Sequence, residues 1–327
     1  MSRVAMIFTG GTISMLPDAA AGGLVPALDG AALVAGTPGL AGIAALEPID
    51  WGRVPASSLS LEQVLEIARL ARAALARPEI DGAVVVQGTD VMDETAFAFD
   101  LLLDGPKPLV VTGAMRAAGA PDADGPANLR AAVRVAAAAE LRGQGALVVM
   151  AGRILPAADV LKTHTTALDA FQAPNVGPLG AVDETGVRVD RRGPGRRTLP
   201  TIPDRAAEPI PVLMAHIGSD GALLRLARQA GARGFVVAAT GSGNTHPDLL
   251  AAAAEAMAAG LPVVLASRCP AGAVTPAYAF PGGGAEWLRA GALSAGTLSP
   301  PKARLALALG LGAGADAPAL RALLAAD

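Results

Sequence analysis

The chain has 327 residues, 52% of them hydrophobic, enough apolar sequence for one large domain or two unequal ones. Twenty-six basic side chains stand against 29 acidic ones for a net charge of −3, and only 3% of residues are aromatic; no basic stripe with interleaved aromatics exists, which excludes nucleic acid as a partner. The single cysteine, Cys269, excludes an internal disulfide framework and fits a reducing compartment.

In chain order, residues 3–8 (RVAMIF) predict a buried strand that runs straight into Thr9-Gly10-Gly11-Thr12. That apolar run is too short for a signal-peptide core, and no uncharged apolar stretch approaches the roughly 18 residues of a membrane span, so a cytoplasmic location without a membrane partner is expected. A helix is predicted over 60–77, opened by a Ser60/Gln63 capping box, with Val64, Ile67, Ala68, Ala71 and Leu75 on one face. Runs 82–87, 108–112 and 145–151 are apolar on both faces and predict buried strands. Helices over 91–104 and 126–140 lie between them. This alternation predicts an α/β domain with a mostly parallel sheet. Residues 180–190 then predict a hairpin turning at Asp183-Glu184-Thr185-Gly186.

Residues 191–211 (RRGPGRRTLPTIPDRAAEPIP) lack periodicity and predict an interdomain linker. The strand–helix alternation restarts with strands over 211–215, 234–240 and 262–266, helices from Asp220 and His246, and further helices over 300–311 and 317–325. The expected architecture is two α/β domains: a larger N-terminal one (1–190), mostly parallel with a hairpin, and a smaller parallel C-terminal one (212–327).

Ligands of an open parallel sheet bind beyond the carboxyl ends of its strands. Polar clusters fall there at 9–12, at Gln87-Gly88-Thr89-Asp90, at Leu161-Lys162-Thr163-His164-Thr165-Thr166, and at Thr240-Gly241-Ser242-Gly243-Asn244. Thr12 reads either as a turn residue or as a nucleophile whose preceding glycines expose amide donors for an oxyanion. The stretch is neither a dinucleotide fingerprint nor a phosphate loop. Asp90 reads as an N-cap or as a working carboxylate, and Lys162 as a solvated lysine or as the amine of a proton relay. His164, His216 and His246 are dispersed, so neither a metal nor any other cofactor is expected, and His164 reads as structural.

TGGTIS (9–14), QGTDVMDETAF (87–97) and VLKTHTTALDAF (160–171), together with SRCPAGAVTP (267–276) and the TLSPPKARLALALGL ending, resemble the bacterial L-asparaginase (asparaginase/glutaminase) family. The resemblance implies that Thr12 is the nucleophile and that Thr89, Asp90 and Lys162 form a second triad. It implies a substrate held by Asp90, by Ser57 or Ser58 (Ser58 preferred), and by backbone at Gly11, Gly88 and Thr89. Asn244 would reach a neighbouring subunit's site, which implies a homo-oligomer, dimer or tetramer, with sites at the subunit interface. The implied reaction is L-asparagine plus water to L-aspartate plus ammonia through an acyl-enzyme, with weaker action on glutamine. The alternatives are hydrolysis of another amide (glutamine or a D-amino acid amide) and an inactive amino-acid-binding protein.

Two departures stand out. The lid after the nucleophile, 14–30, holds no tyrosine, and no acid follows the 267–276 segment until Glu286. Tyr278 is the chain's single tyrosine and the candidate auxiliary residue, with aromatic packing as its other reading. The small residues 19–23 predict a mobile lid that closes over substrate.

Overall fold

The computed structural model describes residues 1–324 as two compact units, 1–202 and 203–327 less its last three residues. The first unit contains β1 (Arg3–Phe8), β2 (Met15–Asp18), β3 (Gly23–Pro26), α1 (Gly30–Ala35), β4 (Ala45–Asp50), α2 (Leu61–Ala76), β5 (Gly82–Val86) and α3 (Met92–Leu102). It continues with β6 (Leu109–Thr112), α4 (Gly125–Ala137), β7 (Ala146–Met150), β8 (Arg153–Pro156), β9 (Leu161–Lys162), β10 (Phe171–Gln172), β11 (Gly180–Val182) and β12 (Val187–Val189). Among the described residues its main sheet has eight strands in the order β12-β11-β8-β7-β6-β5-β1-β4. The stretch from β4 to β7 is parallel, while β8, β11 and β12 add antiparallel. This is the expected mostly parallel sheet with a hairpin.

The strands form where apolar residues are unbroken. Every residue of β5 (GAVVV) and β7 (ALVVM) is buried, because helices cover both faces. Val4, Met6 and Phe8 of β1 and Val84 and Val86 of β5 join one core cluster with Leu129, Val133 and Val135 of α4. α2 and α3 pack against the opposite face. The expected capping box opens α2: Gln63 N–H donates to Ser60 Oγ at 3.3 Å and Ser60 N–H to Gln63 Oε1 at 3.0 Å, satisfying two otherwise unpaired amides.

Strand β4 and the lid were not legible as elements. The expected small-residue lid is a hairpin, β2 paired antiparallel with β3 over four residue pairs, and the stretch 19–22 is only its turn. Asp29 ends the lid by capping α1, its Oδ1 accepting from Ala32 N–H at 2.8 Å.

Residues 191–202 pack with the first unit. Arg196 Nε donates to Asp100 Oδ1 at 3.1 Å, Gly193 N–H to Gln144 Oε1 at 2.7 Å, and Leu199 N–H to Leu101 O at 2.7 Å.

The second unit contains β13 (Val212–Met214), α5 (Ala222–Gln229), β14 (Phe235–Ala239), α6 (Pro247–Ala258), β15 (Val263–Ser267), α7 (Gly284–Arg289), β16 (Leu293–Ser294), α8 (Pro300–Gly312) and α9 (Ala317–Leu324). Its sheet, β13-β14-β15-β16, is parallel throughout. Ala325, the expected end of the last helix, lies outside the described residues.

Candidate active site

Strand order places the site. From β1 the chain moves to β4 on one side, then returns past β1 to β5, β6 and β7 on the other. The loops after β1 and β5 therefore leave in opposite directions and open a crevice between them, the topological switch point of a doubly wound sheet. The first two polar clusters, 9–12 and 87–90, are those two loops.

They meet backbone to backbone. Gly10 and Gly11 hold φ of 102° and 96°, which side-chain-bearing residues avoid. A Cβ on Gly11 would lie 2.2 Å from Gly88 N and 2.3 Å from Gly88 Cα. A Cβ on Gly88 would lie 2.9 Å from that of Ala56, so the 3₁₀ turn Ala56–Ser58, which carries the exposed Ser57 and Ser58, closes on the same point. Hydrogen bonds from Trp51 N–H to Phe8 O at 3.1 Å and from Val54 N–H to Thr9 O at 2.8 Å strap this third loop to the first.

Thr12 begins a short 3₁₀ turn, Thr12–Ser14. Among the described residues no hydrogen bond engages its hydroxyl, nor the N–H groups of Gly11, Thr12 and Thr89. Buried amides are nearly always paired, so free ones grouped at a crevice mark a place that accepts an anionic or carbonyl oxygen.

The third cluster completes the site. Lys162 Nζ donates to Thr89 Oγ1 and to Asp90 Oδ1, both at 2.9 Å. The lysine side chain is 16% exposed and that of Asp90 65%. A mostly buried ammonium is costly without a partner; the carboxylate supplies one and keeps its outer oxygen toward solvent. Asp90 is not an N-cap, because α3 begins after Val91 without a side-chain cap. Lys162 is positioned by the β9–β10 pairing and by Asp93 of α3, whose Oδ2 accepts its backbone N–H at 3.2 Å. His164 Nδ1 accepts from Thr166 and Ala167 N–H at 3.1 and 2.9 Å and shapes the tight loop. Asp90, Lys162, Thr163, His164 and Thr165 line an open cavity of about 480 Å³.

The first unit thus gathers Gly11, Thr12, Ser57, Ser58, Gly88, Thr89, Asp90 and Lys162 around one switch point. Asn244 and Tyr278 belong to the second unit. Asn244 Oδ1 accepts from Gly284 N–H at 3.2 Å, and the Tyr278 ring packs on Phe280 with centroids 5.7 Å apart. Sequence reasoning gave no role to Asp93 or to Thr95, a buried hydroxyl on the apolar face of α3. A lone polar residue on such a face signals a buried hydrogen-bond partner. Among the described residues no group of three or more His, Cys, Asp or Glu converges as metal ligands would, and no helix is long and apolar enough to cross a membrane.

Such a sheet, with polar loops converging on its switch point, defines a doubly wound α/β protein that takes a small ligand at its carboxyl edge. Comparison with known proteins narrows the class. The family described as "Asparaginase, N-terminal" matches residues 3–194, and "Glutaminase/Asparaginase C-terminal domain" matches 210–324. The chain belongs to the bacterial L-asparaginase family. It is 38% identical over 312 residues to a probable L-asparaginase of Deinococcus radiodurans, covering 94% of this chain and 92% of that protein. It is 32% identical to a glutaminase-asparaginase of Pseudomonas fluorescens, covering 83% and 77% respectively. The crystal structure of a probable cytoplasmic L-asparaginase from Campylobacter jejuni superposes with a TM-score of 0.87 at 29% identity over the full length of both chains.

Proposed function

We propose that the protein hydrolyses L-asparagine to L-aspartate and ammonia, with weaker action on L-glutamine. The observation that carries this reading is the Lys162 amine bridging the Thr89 hydroxyl and the Asp90 carboxylate, in a chain whose relatives are named as L-asparaginases. Thr12 Oγ attacks the side-chain amide carbon, and the free Gly11 and Thr89 amides receive the developing oxyanion. Lys162, acting through Thr89, moves the proton from the attacking group toward the departing ammonia. Water then cleaves the ester and frees Thr12. Asp90 holds the substrate's α-ammonium and Ser58 its α-carboxylate.

The protein is further proposed to be a cytoplasmic homo-oligomer, dimer or tetramer, with Asn244 completing a neighbour's site. Exposed Val212 and Met214 on β13, Ile217 beyond it, and Leu223 and Leu226 on α5 support a buried contact there. Light scattering after gel filtration tests the assembly.

Ammonia release from L-asparagine and L-glutamine, measured for the parent, Thr12→Ala and Thr89→Ala, tests the reaction. Both substitutions are expected to abolish turnover, and mass spectrometry of quenched enzyme should find the acyl adduct on the peptide containing Thr12. An adduct on the Thr89 peptide would reverse the two roles; a parent that releases no ammonia would sink the reading.

A further inference from the structure

We infer that Gln87 is a positioning residue that aims the Thr89 N–H into the oxyanion site, an inference that rests on the proposed amidohydrolase reading. Gln87 is 1% exposed, immediately after the carboxyl end of β5. Its Nε2 donates to Gly88 O at 3.3 Å, and its Oε1 accepts from Thr95 Oγ1 at 3.0 Å. Thr95, 3% exposed, comes from the buried face of α3. Thr95 Oγ1 also lies 3.2 Å from Val91 O and from Met92 O, but its contact with Gln87 Oε1 is the shortest of the three; the Gly88 carbonyl can only accept, so the amide nitrogen of Gln87 faces it and the amide oxygen faces the hydroxyl.

Geometry then transmits the constraint. In a trans peptide the carbonyl of residue 88 and the N–H of residue 89 lie in one plane and point in opposite directions across the C–N bond. Holding Gly88 O against the buried Gln87 amide turns the Thr89 N–H away from that amide. That N–H has no acceptor among the described residues. Gly88 alone would leave this peptide free to rotate, since glycine imposes little preference on its dihedrals. The side-chain clamp removes that freedom before substrate arrives, which is what electrostatic preorganisation requires. The backbone of Gln87 is itself fixed: its N–H donates to Thr112 O at 2.9 Å, and its carbonyl lies where a Cβ on Gly113 would approach to 2.3 Å.

The test uses two near-isosteric variants of the full chain. Gln87→Met removes the donor outright. Gln87→Glu keeps the Thr95 contact but places a carboxylate against Gly88 O; on protonation it regains a donor, and burial raises the pH at which this happens. Removing an oxyanion donor costs about 10²–10³ in kcat, and a mis-aimed one is expected to cost about tenfold to a hundredfold, with KM for asparagine within about threefold of the parent because Asp90 and Ser58 are untouched. The kcat of Gln87→Glu relative to parent should rise as pH falls, while that of Gln87→Met should stay flat. A merely structural role would lower both variants' melting temperatures without this pH recovery. An active parent whose variants keep kcat, or lose it equally at all pH values, overturns the role of Gln87 and leaves the amidohydrolase standing. A parent without ammonia release overturns both.

Discussion

Gly11→Ala puts the backbone contact between the two site loops to a direct test. Ordinary van der Waals contact begins near 3.4 Å, and the new Cβ would sit 2.2 Å from Gly88 N and 2.7 Å from Gln87 C. These are backbone atoms held at the end of a fully buried strand, so no side chain can swing aside. The loops must part by about 1 Å, and the residue must also hold a φ of 96°. Left-handed backbone costs about 1–2 kcal/mol for a residue with a Cβ, and overpacking about 1–3 kcal/mol more. A loss of about 2–5 kcal/mol in urea-monitored stability follows. A misplacement of about 1 Å can cost about a hundredfold in rate, so ammonia release should fall at least that far in whatever fraction stays folded. Gly23→Ala is the control: a Cβ there meets nothing within 4 Å and its φ is unremarkable. Parent-like turnover and stability in Gly11→Ala would refute the close approach of the loops.

Lys162→Met should keep the fold and lower kcat by about 10²–10⁴, the usual range for a proton-transfer group; a loss below about tenfold would remove Lys162 from the chemistry. Arg196→Met should cost about 3–5 kcal/mol by urea titration, because the guanidinium shares a poorly exposed ion pair with Asp100 and donates to the carbonyls of Asp100 and Leu103 at the end of α3. An Arg196→Met chain as stable as the parent would show that 191–202 is not anchored there. At acid pH, the hydrogen bond from Arg77 holds the Glu47 carboxyl below the usual carboxylate range. A carboxyl lowered on folding stabilises above its unfolded pKa, about 4.3, and that contribution fades as pH falls through the lower folded value. Arg77→Gln should therefore flatten the acid-side slope of stability against pH; an unchanged slope would remove this pair from the acid dependence.

Much of this was legible from composition and pattern because both faces of the central sheet are covered. GAVVV and ALVVM read as buried strands because they are short, valine-rich and bounded by turn residues, and the glycines and hydroxyls that follow such strands fall at the carboxyl edge by topology alone. The capping box of α2 needs only three residues' spacing. Strand β4 was illegible for the opposite reason. Its sequence ALEPID is mixed and its burial partial, and Pro48 is tolerated because an edge strand leaves one row of amides unpaired. The lid hairpin is exposed and carries no alternating pattern, so its pairing depends on contacts beyond its own sequence. Thr12, Thr89, Asp90 and Lys162 were visible as residue types, but the lysine's two contacts span more than seventy positions of chain and only the fold makes them neighbours.

The contact between Gly11 and Gly88 also bears on how such an enzyme can change over generations. Two walls of the crevice are main chain pressed on main chain, where any replacement adds atoms to space already filled. Variation that alters which amide is accepted is thereby channelled into the neighbouring segments that carry side chains: the Ser57–Ser58 turn and the 163–165 rim. A library that leaves 10–12 and 87–90 untouched and randomises those two segments would sample changes in selectivity while sparing the reacting groups.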